Sequence, residues 1–112
     1  MKIAIPISNG CLSAHFGHAA QFAILDAAPD AGTITSRQDI DAPPHEPGLL
    51  PAWVKELGAD IIIAGGMGQR AQQLFAANGV DVVVGAPALA PEVIVESHLS
   101  GTLRTGGNIC DH

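Results

Sequence analysis

The chain has 112 residues, 47% apolar and 14% charged, with a formal net charge of −6. That length and composition suit one globular domain with a real core and exclude a disordered chain. Its five basic residues, Lys2, Arg37, Lys55, Arg70 and Arg104, are scattered, which excludes a nucleic-acid surface, because phosphate contacts need clustered Lys and Arg.

Residues 2–7, KIAIPI, form a first strand, apolar on both faces and therefore expected at the centre of a sheet. Pro6 lacks an N–H, so ladder pairing is expected to stop near it. Residues 8–20 then read as a loop. Residues 21–27 form a second strand, the cluster 29–32 (PDAG) a turn, and 33–40 (TITSRQDI) a third strand, polar on one face and near an edge. A proline-rich connection follows from Asp41 to Gly48. Leu50, Trp53, Val54 and Leu57 then fall at i, i+3, i+4 and i+7, the stripe of an amphipathic helix. Pro51 fits only its first turn, and Gly58 stops it. Ile61, Ile62 and Ile63 make a buried parallel strand. Residues 69–78 form a second helix closed by Asn78-Gly79, residues 80–85 (VDVVVG) another buried strand, and Pro91 opens a third helix that Gly101 ends. The order is βββαβαβα: a three-layer α/β/α domain over residues 1–101 with a mixed five-stranded sheet, the layout of the ribonuclease-H-like fold. Residues 102–112 read as a loosely ordered tail, and there is no internal repeat or linker.

No apolar run approaches the roughly 18–20 residues that cross a bilayer. The start, MKIAIPIS, is too short for a signal h-region. Two cysteines, Cys11 and Cys110, make no disulfide framework. A cytoplasmic protein with free or ligating thiols is expected, with no membrane or nucleic-acid partner.

In open α/β sheets, ligands sit beyond the carboxyl ends of the parallel strands. The strand order sends three segments to that edge. One is the loop 8–20, with Cys11 and the H-x-x-H spacing of His15 and His18. The second is the loop 41–48, with His45. The third is the turn Gly65-Gly66-Met67-Gly68. Neutral imidazole suits zinc, copper or iron, and a thiolate is a soft ligand nearby. A glycine turn before a helix can cradle an anion through backbone N–H groups. Each feature also has a plainer explanation: loop histidines bonded to backbone, a small half-buried thiol, a tight strand-to-helix turn. The turn has neither the Lys-Ser/Thr of a P-loop nor a full G-x-G-x-x-G. Cys110-Asp111-His112 ends the chain, and eleven extended residues, roughly 35 Å of chain, could carry it to the same edge. No catalytic constellation stands out. The first strand has no carboxylate for the two magnesium ions of a ribonuclease-H-type nuclease, and no nucleophile elbow is present.

The pieces SAHFGHAAQF, HEPGLLPAWV, IIAGGMGQRAQQLF and GNICDH resemble, in this order, the dinitrogenase iron–molybdenum cofactor biosynthesis family. It groups NifX- and NafY-like carriers, the C-terminal domain of NifB, and small stand-alone proteins. The resemblance implies a ribonuclease-H-like fold and carriage of a metal–sulfur cluster rather than turnover of a substrate. The family's cluster-holding histidine maps onto His15, in His15-Phe16-Gly17. His18 follows in the same motif, Gly65, Gly66 and Gly68 match the glycine turn, and Cys110 and His112 lie in the Cys-Asp-His ending of the stand-alone members.

The function expected is therefore binding or carriage of an iron–sulfur or molybdenum–iron–sulfur cluster, with no catalysis, alongside cluster-assembly or acceptor proteins. His15 leads the ligand set. His18 and His45 assist, Cys11, Cys110 and His112 are further candidates, and Phe16, Gly17 and Met67 lie in the same motifs. One rival is a mononuclear site for zinc, copper or iron. A second is a cofactor-free module that docks on a cluster-assembly ATPase. An enzyme with a small anionic substrate ranks last. Oligomeric state is not legible at this level.

Overall fold

A computed structural model describes residues 1–13, 19–28, 32–43 and 49–103. The elements in chain order are β1 (Lys2–Ser8), β2 (Cys11–Leu12), β3 (Gln21–Ala28), β4 (Thr33–Asp41), α1 (Leu49–Glu56), β5 (Ile61–Ile63), α2 (Gln69–Ala77), β6 (Asp81–Val83) and α3 (Pro91–Ser100). The sheet runs β4-β3-β1-β5-β6, with β2 paired to β1 off this path. β3 is antiparallel to both β1 and β4, while β5 and β6 continue the sheet in parallel from β1.

The doubly apolar first strand is central, as its composition requires. Ile3, Ile5 and Ile7 pack with Ala23, Leu25, Ile61, Ile63, Ile94 and Val95, the layer under α3. Ala4 lies in the opposite layer, with Phe22, Ile24, Leu50, Val54, Ile62 and Phe75, under α1 and α2. Alternation along the strands sorts side chains into these two layers. The Phe22 and Trp53 rings meet edge to face, centroids 5.4 Å apart at 71°, tying β3 to α1.

Three expectations need revision. The strand expected as buried over residues 80–85 is β6, only Asp81–Val83 and exposed to half-buried, because it lies at the end of the sheet beside β5. The sheet has six strands rather than five. Residues 8–12 are a tight hairpin in which Ile7 pairs with Leu12 and Ser8 with Cys11. Asn9 (φ 55°) and Gly10 (φ 82°) both take the left-handed conformation that two-residue hairpin turns demand. Nor does Pro6 end all pairing: it faces Phe22 of β3, and the ladder runs on to Ile7 and Gln21. The Pro6 carbonyl accepts from the Ser13 N–H at 2.8 Å, so its ring nitrogen faces the side where the parallel ladder to β5 covers only Ile3 and Ala4.

The helices follow their stripes. α1 buries Leu50, Pro51 and Val54, and Gly58 turns the chain away at φ 86°. α3 opens on Pro91 and ends at Gly101 in the left-handed conformation, φ 75°. Beyond it, Thr102 and Leu103 donate backbone N–H bonds to the Ser97 carbonyl at 2.9 and 3.1 Å, and Leu103 packs against the layer under α3. Residues 104–112, the rest of the expected tail, lie outside the described residues. Among the described residues no helix is long and apolar enough to cross a membrane.

Candidate functional site

β1, β4, β5 and β6 all point their C-terminal ends toward one edge of the sheet, as the pairing directions dictate. Hydrogen bonds fix what gathers there. Ala42 donates its backbone N–H to the Ala20 carbonyl at 3.0 Å, and the Gln21 side-chain amide donates to the Asp41 carboxylate at 3.0 Å. The roots of two loops therefore stand side by side, one ending at β3 and the other leaving β4. On the far side of β1, the Leu12 N–H donates to the Leu89 carbonyl at 2.9 Å, joining the β2 arm to the segment after β6. The Gly85 and Ala86 N–H groups donate to the Gly65 and Ala64 carbonyls at 2.7 and 3.1 Å, fixing the turn after β5.

Gly65, Gly66 and Met67 are buried and Gly68 is half-buried. Met67 is 1% exposed. Its side chain belongs to the core layer with Phe75, Val80 and Ala64, so it holds the turn from beneath. Its carbonyl accepts from the Gln72 side-chain amide at 3.0 Å. Among the described residues the backbone N–H groups of Gly65 and Gly66 have no acceptor. Backbone N–H groups in a buried turn call for an acceptor. Directly after them α2 begins, with Gly68 at its N-cap and no side-chain cap. Its first-turn N–H groups have no intrahelical partners. Its first turn contains Arg70 and no acid, the reverse of what the helix dipole favours. The turn and the helix start together present donors and positive charge, a cradle for an anion.

Of the expected ligands, Cys11 sits in β2 opposite Ser8, half-buried and free of any disulfide. His15, Phe16, Gly17, His18, His45, Cys110 and His112 lie outside the described residues. Those residues do include the roots of the segments carrying the histidines: Ser13 and Ala19 for His15 and His18, and Pro43 and Leu49 for His45. Among the described residues no group of three or more His, Cys, Asp or Glu could hold a metal ion.

Sequence reasoning passed over the Asn9-Gly10 hairpin and the bond from Leu12 to Leu89. The Asn-Gly dipeptide was the available signal for the first. Nothing local announces the second.

A fold of this order, with a glycine turn and the roots of the histidine-bearing segments at one sheet edge, defines a small three-layer α/β/α domain. The dinitrogenase iron-molybdenum cofactor family description matches residues 1–101, and the chain belongs to that family. An uncharacterized protein of Methanocaldococcus jannaschii is 33% identical over 87 residues, covering 73% of this chain and 72% of that one. The crystal structure of PH0822 superposes with a TM-score of 0.86 at 28% identity, covering 94% of each chain. The apo form of the orange protein from Desulfovibrio gigas shares the fold, with a TM-score of 0.76 at 23% identity, covering 96% of this chain and 93% of that one.

Proposed function

We propose that this chain binds an iron–sulfur or molybdenum–iron–sulfur cluster as cargo during metallocofactor assembly, and that it hands the cluster on without catalysing a reaction. One observation carries the reading: at the edge where the roots of the histidine-bearing segments gather, the N–H groups of the buried residues Gly65 and Gly66 have no acceptor among the described residues. Family membership over residues 1–101 supports it. His15 is the leading ligand, with His18 and His45 beside it and Cys11, Cys110 and His112 as further donors. The sulfides of such a cluster carry negative charge, which the Gly65–Gly68 turn and the α2 start would meet with N–H groups. The chain's own net charge of −6 opposes an anionic cargo only weakly, because distant charges are screened beyond a Debye length of about 8 Å.

The test is metal and acid-labile sulfide analysis of protein purified and reconstituted without oxygen. Iron with sulfide and visible absorption is the expected result, and His15→Ala should lose most of it while keeping its circular dichroism. One colourless metal ion per chain would replace the cluster with a mononuclear site. No metal under any reconstitution would leave a docking module. Unchanged uptake by His15→Ala would remove His15 from the ligand set.

A further inference from the structure

β4 forms one flank of the sheet. Its inner side is paired with β3 from Thr33 to Asp41. Among the described residues nothing pairs with its outer side. Proteins usually blunt such an edge with Pro, Lys, a bulge or an outward charge. The one irregularity in the β3–β4 ladder falls between Asp26 and Ala27, which leaves Ser36–Ile40 regular, and that stretch holds neither Pro nor Lys. Its two charges neutralise each other: Arg37 Nε and Nη2 donate to the two Asp39 carboxylate oxygens at 2.8 and 3.0 Å.

We propose that a second copy of this chain docks on this edge, β4 against β4, antiparallel about a twofold axis at Gln38. The argument is charge complementarity. An axis at Gln38 sets Arg37 opposite Asp39 of the second copy, and Asp39 opposite its Arg37. These residues share a face of the strand, so the two Arg37 guanidinium groups and the two Asp39 carboxylates alternate across the axis, each guanidinium also keeping its own Glu92. Opposite charges directly across an antiparallel pair stabilise it, and like charges disrupt it. Ser36 falls opposite Ile40, with no clash of charge. Above the same face, α3 holds Arg37 through Glu92, whose oxygens accept from Nη1 at 2.7 and 2.8 Å. Val93, the next residue in α3, is 46% exposed. The contact is isologous and closes at two copies. Because the strands run in opposite directions, the two cargo edges face opposite ways.

Sedimentation velocity of the full chain should show a species of twice 11.4 kDa that dissociates on dilution. Amide hydrogen exchange at residues 36–40 should slow as concentration rises. Asp39→Arg and Arg37→Asp each place like charges across the axis and should weaken self-association at least about tenfold. Mixing the two variants restores both pairs and should restore the dimer as a heterodimer. Circular dichroism and Trp53 fluorescence check that each variant folds. A wild-type protein that stays monomeric, or amides at 36–40 whose exchange ignores concentration, overturns the proposal without any variant. So does a dimer that neither substitution weakens.

Discussion

Met67 joins the candidate site to the core, and its truncation gives a number that can be worked from the structure. The side chain is 1% exposed and packs in the layer with Phe75 and Val80. Met67→Ala removes about three methylene equivalents, each worth roughly 0.8 kcal/mol when buried, or about 2.4 kcal/mol. A residual void of roughly 25–40 Å³ under the turn adds about 0.6–1 kcal/mol. The expected loss is therefore about 3 kcal/mol. Unfolding entropy of about 2.1 cal/mol/K per residue makes 1 kcal/mol worth about 4 °C in a chain of 112 residues, so Tm should fall by about 13 °C. Urea titration followed by the fluorescence of Trp53, the only tryptophan, measures the free energy, and a thermal scan measures Tm. Met67→Leu, which conserves volume, should cost less than about 1.5 kcal/mol. A loss below about 1 kcal/mol for Met67→Ala at unchanged m-value would refute the reasoning, because the side chain would then not be filling the layer beneath the glycine turn.

Gly10→Ala should cost about 1–2 kcal/mol by thermal melting. An added Cβ at Gly10 meets nothing within 4 Å, so the cost is backbone strain at φ 82°; Gly10→Asn, which tolerates that conformation, should cost less. Hydrogen bonds from Arg37 hold the Glu92 carboxyl below its ordinary value. The stability it contributes is full above the unfolded-state pKa and is lost as pH falls through the lower folded one. The Glu92 side chain is 43% exposed, so Glu92→Gln should cost less than about 1 kcal/mol at neutral pH, and denaturation curves of the two proteins should converge in acid. A gap that widens as pH drops would contradict this assignment. Arg70→Glu should strengthen the α2 start by about 0.3–1 kcal/mol through the helix dipole while weakening uptake of an anionic cluster. Equal uptake by both proteins would detach α2 from the site.

Where burial is two-sided and the hydrophobic period is clean, the sequence already states the structure. Ile61–Ile63 is apolar on every side and sits between β1 and β6. Leu50 and Val54 recur at helical spacing and are buried under α1. The β2 arm escapes such reasoning because two residues, Cys11 and Leu12, are too few to show alternation; only Asn9-Gly10 betrays them. β6 is shorter than VDVVVG suggests, ending at Val83, because the next backbone groups turn to the β5 end: Gly85 to Gly65 and Ala86 to Ala64. For the site, strand order alone was enough to send the loop roots and the glycine turn to one edge, since antiparallel and parallel pairing set directions. That Gly65 and Gly66 find no N–H acceptor among the described residues had no sequence signal, because hydrogen-bond satisfaction is a property of the assembled turn. His15, His18 and His45 rest on motif and resemblance.

The position of β1 has a consequence for how the molecule is made. β1 joins β3 through a short local excursion, so the meander β1-β3-β4 can form before Ile61 is synthesised. The other flank of β1 waits until Ile61 arrives to face Ile3, a closure across a long loop that is slow relative to hairpin formation. Through that interval the nascent protein exposes its central, largely apolar strand along an open side. Synthesis rate and chaperone access should therefore govern the yield of folded protein more than the stability of the finished sheet does.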